Sequence, residues 1–297
     1  MRIARRGRRV AVVTCREVSE LDADGLAVAK ALADVGLAPE PVVWDDPQVD
    51  WSRYVVALLR STWDYPERRD EFLAWASRVD GLTRLLNPYE ALRWNSSKRY
   101  LLDLQGAGLP VVPTHFIAPG EERRLPNEGG EFVVKPAVSA GSRNTARYGV
   151  GDVEEALTLV SRLLDQGRTV MIQPYLSSVD ERGERLLVYL DGRFRHAGRK
   201  GPLLERGAGL VEGLFAPEDV TPADPSPVER AVADAAISLV AERFGPPAYA
   251  RIDLVTDRDG GPLVLELELI EPSLFLAEAG GDPEPLALRV AAEAGAH

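Results

Sequence analysis

The segment Tyr249–Pro272 reads Tyr-Ala-Arg251-Ile-Asp253-Leu-Val-Thr, then Asp257-Arg-Asp-Gly-Gly261, then Pro-Leu-Val-Leu-Glu266-Leu-Glu268-Leu-Ile-Glu271-Pro272. Two runs of alternating apolar residues around a glycine-bearing turn predict a β-hairpin. Side chains two apart on a strand share a face, so Arg251 falls with Asp253, and Glu266 with Glu268. Carboxylates at that density repel one another unless something positive lies between them. Oxygen-only ligands of this kind suit Mg²⁺, which is held by one or two carboxylates plus substrate phosphates. A solvated hairpin face with Glu and Arg paired across the strands fits this stretch equally well, and the segment alone leaves both readings open.

Upstream of the hairpin, Ser226-Pro227-x-Glu229 opens a helix, with Ser as N-cap, Pro in the first turn and Glu as the capping-box partner. Its apolar stripe is expected to be Val228, Val232, Ala235, Ala236, Leu239 and Val240, with Gly245 as the stop. A last helix begins near Glu284. Before these, Glu184 opens a long strand that turns at Asp191-Gly192, a strong hairpin signal, and returns through Phe194 to Arg199 and Lys200. Gly201 to Asp224 is rich in Gly and Pro and reads as a connection.

The N-terminal part alternates differently. Strands are expected at Val10–Thr14, Pro41–Trp44 and Tyr54–Leu59, with helices at Asp22–Val35 and Glu67–Val79, which suggests an open α/β sheet. No Gly-x-Gly-x-x-Gly follows the first strand, so a dinucleotide site has no fingerprint here. Ligands of open α/β sheets lie beyond the carboxyl ends of the strands. Arg60-Ser61-Thr62-Trp63-Asp64-Tyr65 falls just there, with a mix of groups that an amino-acid-like ligand needs; a loop stapled to the next helix is the other reading.

Between these parts, Ser97 to Gln105 reads as a helix with Lys98 in its first turn, where a cation is mildly unfavourable unless it serves a ligand. The strand Glu131–Lys135 runs into Ala-Val-Ser139-Ala-Gly141-Ser142-Arg-Asn-Thr145, a small hydroxyl- and Gly-bearing loop of the type that wraps phosphates with backbone N–H groups. A helix from Asp152 to Gln166 is expected to start with an Asp152/Glu155 capping box. The strand Thr169–Gln173 follows.

Composition bounds the rest. The 297 residues carry a net charge of −11, which argues against non-specific nucleic-acid binding. The single Cys15 excludes an intrachain disulfide and fits a reducing compartment. No run of about 18 apolar residues is present, so no membrane span is expected, and a cytoplasmic location follows as an expectation. The basic start, Arg2, Arg5, Arg6, Arg8 and Arg9, lacks the apolar run of a signal peptide.

Taken in order, Lys98, Lys135, the Ser139–Ser142 loop, Glu184, Arg199-Lys200, Arg251-x-Asp253 and Glu266-x-Glu268 resemble the ATP-grasp ligases over about Trp94 to Pro272. The resemblance implies an α/β chain, α+β in its C-terminal part. An open α/β domain (1–92) would precede a central lid subdomain (93–176) and a C-terminal subdomain with the metal site (177–297). It implies ATP and Mg²⁺, and activation of a substrate carboxylate as an acyl phosphate. Residue by residue, Lys98 and Lys135 resemble the phosphate-contacting lysines, and Ser139, Gly141 and Ser142 the loop that covers the phosphates. Gln173 stands beside the adenine-contacting hinge of Tyr175 and Leu176, and Glu184 matches the ribose-binding acid. Arg199 or Lys200 resembles the cation near the γ-phosphate, and Arg251 the arginine that steadies the acyl phosphate. Asp253, Glu266 and Glu268 take the metal positions, with Glu268 standing where the family has Asn; which of Glu266, Glu268 and Glu271 bind metal is left open. Lids are expected at Ala137–Tyr148 and Gly201–Asp219. Arg60-Ser-Thr-Trp-Asp-Tyr65, Trp94-Asn-Ser-Ser-Lys98 and Glu268-Leu-Ile-Glu-Pro-Ser273 resemble the branch that cyclises O-ureido-D-serine. Arg60, Thr62, Asp64, Glu271 and Ser273 are then the candidate substrate residues, and ligation of an amine to a carboxylate between two molecules is the alternative. Dimers are common in that family, which leaves a homodimer open.

Overall fold

A computed structural model describes residues 7–125, 129–204, 207 and 218–295. Arg2, Arg5 and Arg6 and most of the expected 201–219 lid lie outside the described residues.

Three sheets follow one another along the chain. The first is parallel, in the order β2-β1-β3-β4, formed by β1 (Arg9–Thr14), β2 (Ala38–Val43), β3 (Val56–Ser61) and β4 (Arg84–Leu86). Apolar side chains on both faces of β1 and β3 require cover on both sides. On one side lies α1 (Ala23–Asp34), where Val28 and Leu32 are buried; Asp22 caps it and Gly36, at φ +86°, ends it. On the other, α2 (Arg69–Asp80) sets its Phe72 and Trp75 against Trp44 and Trp51, and the rings meet edge-on or tilted. Cys15 is buried in this cluster, and burial pushes its thiol up to about 11. Two short helices not foreseen as a pair, α3 (Tyr89–Asn95) and α4 (Tyr100–Gly106), lead out of the first sheet. Lys98 therefore lies in the turn between them, ahead of the helix in which it was expected.

The second sheet is antiparallel, in the order β5-β8-β6-β7, with β5 (His115–Ile117), β6 (Phe132–Pro136), β7 (Ala146–Tyr148) and β8 (Val170–Pro174). The helix α5 (Val153–Asp165) covers it with Leu159, Val160 and Leu163. The expected Asp152/Glu155 capping box does not form: the Asp152 carboxylate instead accepts the Gly149 N–H at 2.7 Å, one short turn earlier.

After α6 (Ser178–Arg182), the third sheet runs β11-β10-β9-β12-β13, all antiparallel. Its strands are β9 (Glu184–Leu190), β10 (Arg193–Lys200), β11 (Val220–Pro222), β12 (Tyr249–Thr256) and β13 (Pro262–Glu268). Asp191 and Gly192, both at positive φ, turn β9 into β10. The helix α7 (Pro227–Phe244) has the expected Ser226/Glu229 capping box. Its buried stripe is Ala233, Ala236, Ile237 and Val240, however; Val228, at the helix start, and Ala235 are exposed. α7 covers one face of the sheet, against Leu187, Ala250, Ile252 and Leu267. The opposite face, with Leu186 and Val188, joins the core under the first sheet. The last helix, α8 (Glu284–Gly295), returns to pack on α1. No described helix is long and apolar enough to cross a membrane.

Candidate active site

Strand register builds the site. On β12 and β13, Arg251 lies opposite Glu268 and Asp253 opposite Glu266; on β9 and β10, Glu184 lies opposite Lys200. Asp253 also pairs with Leu186 and Arg251 with Val188, so these side chains share the face of the third sheet away from α7. The hairpin expected from the sequence is present, and it gathers its acids and its arginine on one wall.

That wall faces the second sheet across a cavity of about 340 Å³. Lys135, at the end of β6, reaches across to Glu266 Oε1 at 2.7 Å. Lys98 lies 3.3 Å from Glu266 Oε2 and donates to the Ser139 carbonyl at 3.0 Å, tying the α3–α4 turn to the loop after β6. Burial works to raise the Glu266 carboxyl, but Lys135 and Lys98 outweigh it and hold it well below the usual carboxylate range. Lys200 lies 2.7 Å from Glu184, 3.4 Å from Asp253 and 3.5 Å from Glu218. Only glycine fits just before Glu184: Gly183 has φ +69°, and a Cβ there would meet the Lys200 carbonyl at 2.2 Å.

Arg251 is the most constrained of the cations lining the cavity. Its Nε donates to Asp253 Oδ1 at 2.8 Å, Nη2 to Asp253 Oδ2 at 3.0 Å and to Glu268, and Nη1 to the Ser273 carbonyl at 3.0 Å. Four of its five N–H groups are thus occupied by the protein, and one on Nη1 is left. Asp253 is 2% exposed beneath Arg251 and Lys200, whereas Glu266 and Glu268 line the cavity itself.

The cavity has two ends of different character. One is apolar, with Val112, Tyr175, Leu176, Val179, Val255 and Leu265, and the Gln173 amide near it donates to Thr114 Oγ1 at 2.9 Å. The charged end brings Lys98, Lys135, Lys200 and Arg251 together with Glu184, Glu218, Asp253, Glu266, Glu268 and Glu271. Over it lies the loop of Ser139, Ala140, Gly141, Ser142 and Thr145, where Gly141, Ser142 and Asn144 all have positive φ. Left-handed residues are a feature of the backbone nests that bind anions elsewhere.

Several expected residues fall elsewhere. Arg199 faces the other way from Lys200, as strand alternation requires, and its guanidinium caps the Arg182 and Glu181 carbonyls of α6. Arg60 is 1% exposed, donates to the Pro272 carbonyl and lies over the Tyr249 ring; Thr62 is fully buried; Asp64 accepts the Trp44 indole N–H at 2.9 Å. None of these three lines the cavity. Their neighbours Trp63 and Tyr65 do, together with Glu271 and Ser273. The two aromatics were read both as part of a ligand-binding mix and as staples of a loop, and were not among the candidate substrate residues, because no periodicity tells which side of an irregular turn faces a ligand.

The segment after β13 is held by side chains from distant parts of the chain. Asn95 takes the Leu267 carbonyl and the Leu269 N–H. Asn87 takes the Leu269 carbonyl, Trp63 that of Glu271, and His196 that of Leu274. The Asp24 carboxylate accepts three consecutive N–H groups, from Leu274, Phe275 and Leu276, at 2.6, 2.8 and 2.9 Å. This irregular strap therefore keeps its backbone bonded while it carries Glu271 and Ser273 into the cavity.

Comparison with known proteins agrees with this layout. Residues 10–87 match the model of the N-terminal domain of D-cycloserine synthetase DcsG. The chain is 39% identical over 278 residues to the cycloserine biosynthesis protein DcsG of Streptomyces lavendulae, covering 90% of this chain and 92% of that one. It superposes on the crystal structure of D-cycloserine synthetase DcsG with a TM-score of 0.88 at 37% identity, covering 96% and 99% of the two chains. The ATP-grasp ligase PsnB, solved with a precursor variant, Mg and ADP, shares the fold at a TM-score of 0.64 and 19% identity, over 96% and 98% of the two chains. The chain belongs to the D-cycloserine synthetase family of ATP-grasp ligases.

Proposed function

We infer that the cavity binds ATP and closes O-ureido-D-serine into D-cycloserine, releasing ADP and phosphate. The observation that carries the reading is the 2.7 Å contact of Lys135 with Glu266, because it joins two sheets across a cleft whose other contents are cations, acids and an apolar slot. Tyr175, Leu176 and Val179 form the adenine wall, with Gln173 beside it, and Glu184 lies where the ribose hydroxyls would be taken. Lys98 and Lys135 offset phosphate charge, and the Ser139–Ser142 backbone cradles the phosphate oxygens. Lys200 supplies the cation near the transferred phosphoryl group.

The donor set fits Mg²⁺: only carboxylate oxygens are offered, on adjacent strands, in a cluster where acids outnumber cations. Among the described residues no metal-binding group of three His, Cys, Asp or Glu side chains is already assembled. Glu266 and Glu268 face the cavity and would hold the ion, with Asp253 behind Arg251 as the third carboxylate. Bound there, the ion would neutralise charge on the phosphates.

The substrate carboxylate oxygen attacks the γ-phosphorus and ADP leaves. The nitrogen bonded to the substrate's side-chain oxygen then attacks the acyl carbon, and phosphate leaves as the five-membered ring closes; one water then hydrolyses the carbamoyl group on that nitrogen, which leaves as carbon dioxide and ammonia while the ring nitrogen keeps a proton. Arg251, fixed by Asp253, Glu268 and Ser273, turns its remaining N–H to the developing oxyanion without reorganising. The reaction needs no second amine. A coupled ADP assay with O-ureido-D-serine alone should therefore show turnover. ADP release only when a second amino acid is added would instead identify an intermolecular carboxylate–amine ligase.

A further inference from the structure

Two acids of the charged end, Glu218 and Glu271, take no part in the phosphate and metal roles, but among the described residues Glu218 is paired with Lys200 and Glu271 is not. Glu271 is 8% exposed and lines the cavity, beside Glu268. Among the described residues, no cation and no other residue's donor engages its carboxylate. Lys98 and Arg251 act on it from nearby but are bound to Glu266 and Ser139, and to Asp253, Glu268 and Ser273. Burial, and then Glu268 beside it, push the Glu271 carboxyl well above the usual carboxylate range, and a cation arriving in the cavity would be the partner that lets it ionise. Its backbone is fixed: the Trp63 indole N–H donates to the Glu271 carbonyl at 3.1 Å.

The chemistry of the missing partner follows from the walls. Trp63, Tyr65 and Phe275 line the cavity with Glu271. The Phe275 ring already lies under the Arg251 guanidinium, but a wall of aromatic side chains with one carboxylate suits an alkylammonium, which tolerates ring contacts and carries three donors. A hydrated dication would leave its waters against these rings, and the oxygen-rich place for it is between Glu266 and Glu268.

We propose that Glu271 binds the α-ammonium group of the substrate and so decides that an amino acid, rather than a hydroxy acid, is activated. This rests on the reaction proposed above. The Ser273 side chain, two residues on, belongs to the same wall.

The test compares the full-length enzyme with Glu271→Gln, which keeps the shape and removes the charge. ADP release is measured with O-ureido-D-serine and with its analogue carrying a hydroxyl in place of the α-amine. The unaltered enzyme should prefer the amine. Glu271→Gln should raise KM for the amino substrate roughly 10–100-fold, the worth of one charged hydrogen bond, and lose the preference. KM for ATP and the Mg²⁺ concentration for half-maximal activity should stay as they were. A preference that survives in Glu271→Gln, with the unaltered enzyme active, overturns the assignment. So does an increased Mg²⁺ requirement, which would make Glu271 a metal ligand. An unaltered enzyme that turns over neither compound refutes the parent reaction instead, and the assignment falls with it.

Discussion

Asp24→Asn offers a sharp test of how the site is held. Asp24 is 6% exposed, on the first turn of α1, about 250 residues in sequence from the N–H groups it accepts. Oδ2 takes the Leu274 and Phe275 N–H groups, and Oδ1 takes that of Leu276. An amide placed there keeps one oxygen, which can serve two of the three. Its NH₂ then faces the third N–H, donor against donor. Losing one charge-assisted bond and leaving a buried N–H unpaired costs about 2–3 kcal/mol. At about 2 °C per kcal/mol for a chain of this size, the melting temperature should fall by ~4–6 °C. Asp24→Ala leaves all three N–H groups unpaired, at about 3–9 kcal/mol, comparable with a whole domain's stability of about 5–15 kcal/mol, and should barely fold. Because the Ser273 carbonyl on the same strap orients Arg251, the kcat of Asp24→Asn should fall as well. Calorimetric melting and the ADP assay measure the two effects. If Asp24→Asn and Asp24→Ala both melted within about 1 °C of the unaltered protein, the strap would not depend on this carboxylate.

Two further outcomes are expected. Asp253→Asn should cost stability as well as ADP release: a surface hairpin acid would carry little packing, but Asp253 is buried beneath two cations, and breaking such a pair costs about 3–5 kcal/mol. An unchanged urea midpoint would contradict that. His196 is held neutral: burial lowers its pKa from 6.5, against the opposing pull of the Leu274 carbonyl and Asp24. The unfolded chain then binds the proton first, so stability is lost as pH falls below about 6.5, and the loss levels off below the folded value. Melting curves at pH 7.5 and 5.5 should converge in His196→Gln relative to the unaltered protein; an equal pH slope in both would remove His196 as the cause.

Much of the local structure was legible from residues. Ser226-Pro227-x-Glu229 forms its capping box, Asp191-Gly192 its tight turn, and the β12–β13 hairpin its four-residue wall, because each rests on contacts between near neighbours. The α7 stripe came out one step round the helix, since a helix rich in Ala and Val offers several nearly equal apolar faces and the sheet beneath it chooses one. The Asp152 cap went astray for a similar reason: two helix starts compete for one carboxylate.

What the sequence determined by itself is the inventory and the face of each charged residue, since alternation along a strand is fixed by the pleat. That is why Arg251, Asp253, Glu266 and Glu268 could be placed on one wall, and why only one of Arg199 and Lys200 could join them. Tertiary structure alone decided which of these groups touch. Lys135 meets Glu266 across 131 positions of chain, and Asp24 grips a strap about 250 positions away, because cleft closure is set by how three sheets pack. The same packing sank Arg60 and Thr62 and brought Trp63 and Tyr65 to the cavity: an irregular turn has no period, so its inward side is chosen by what it lands against.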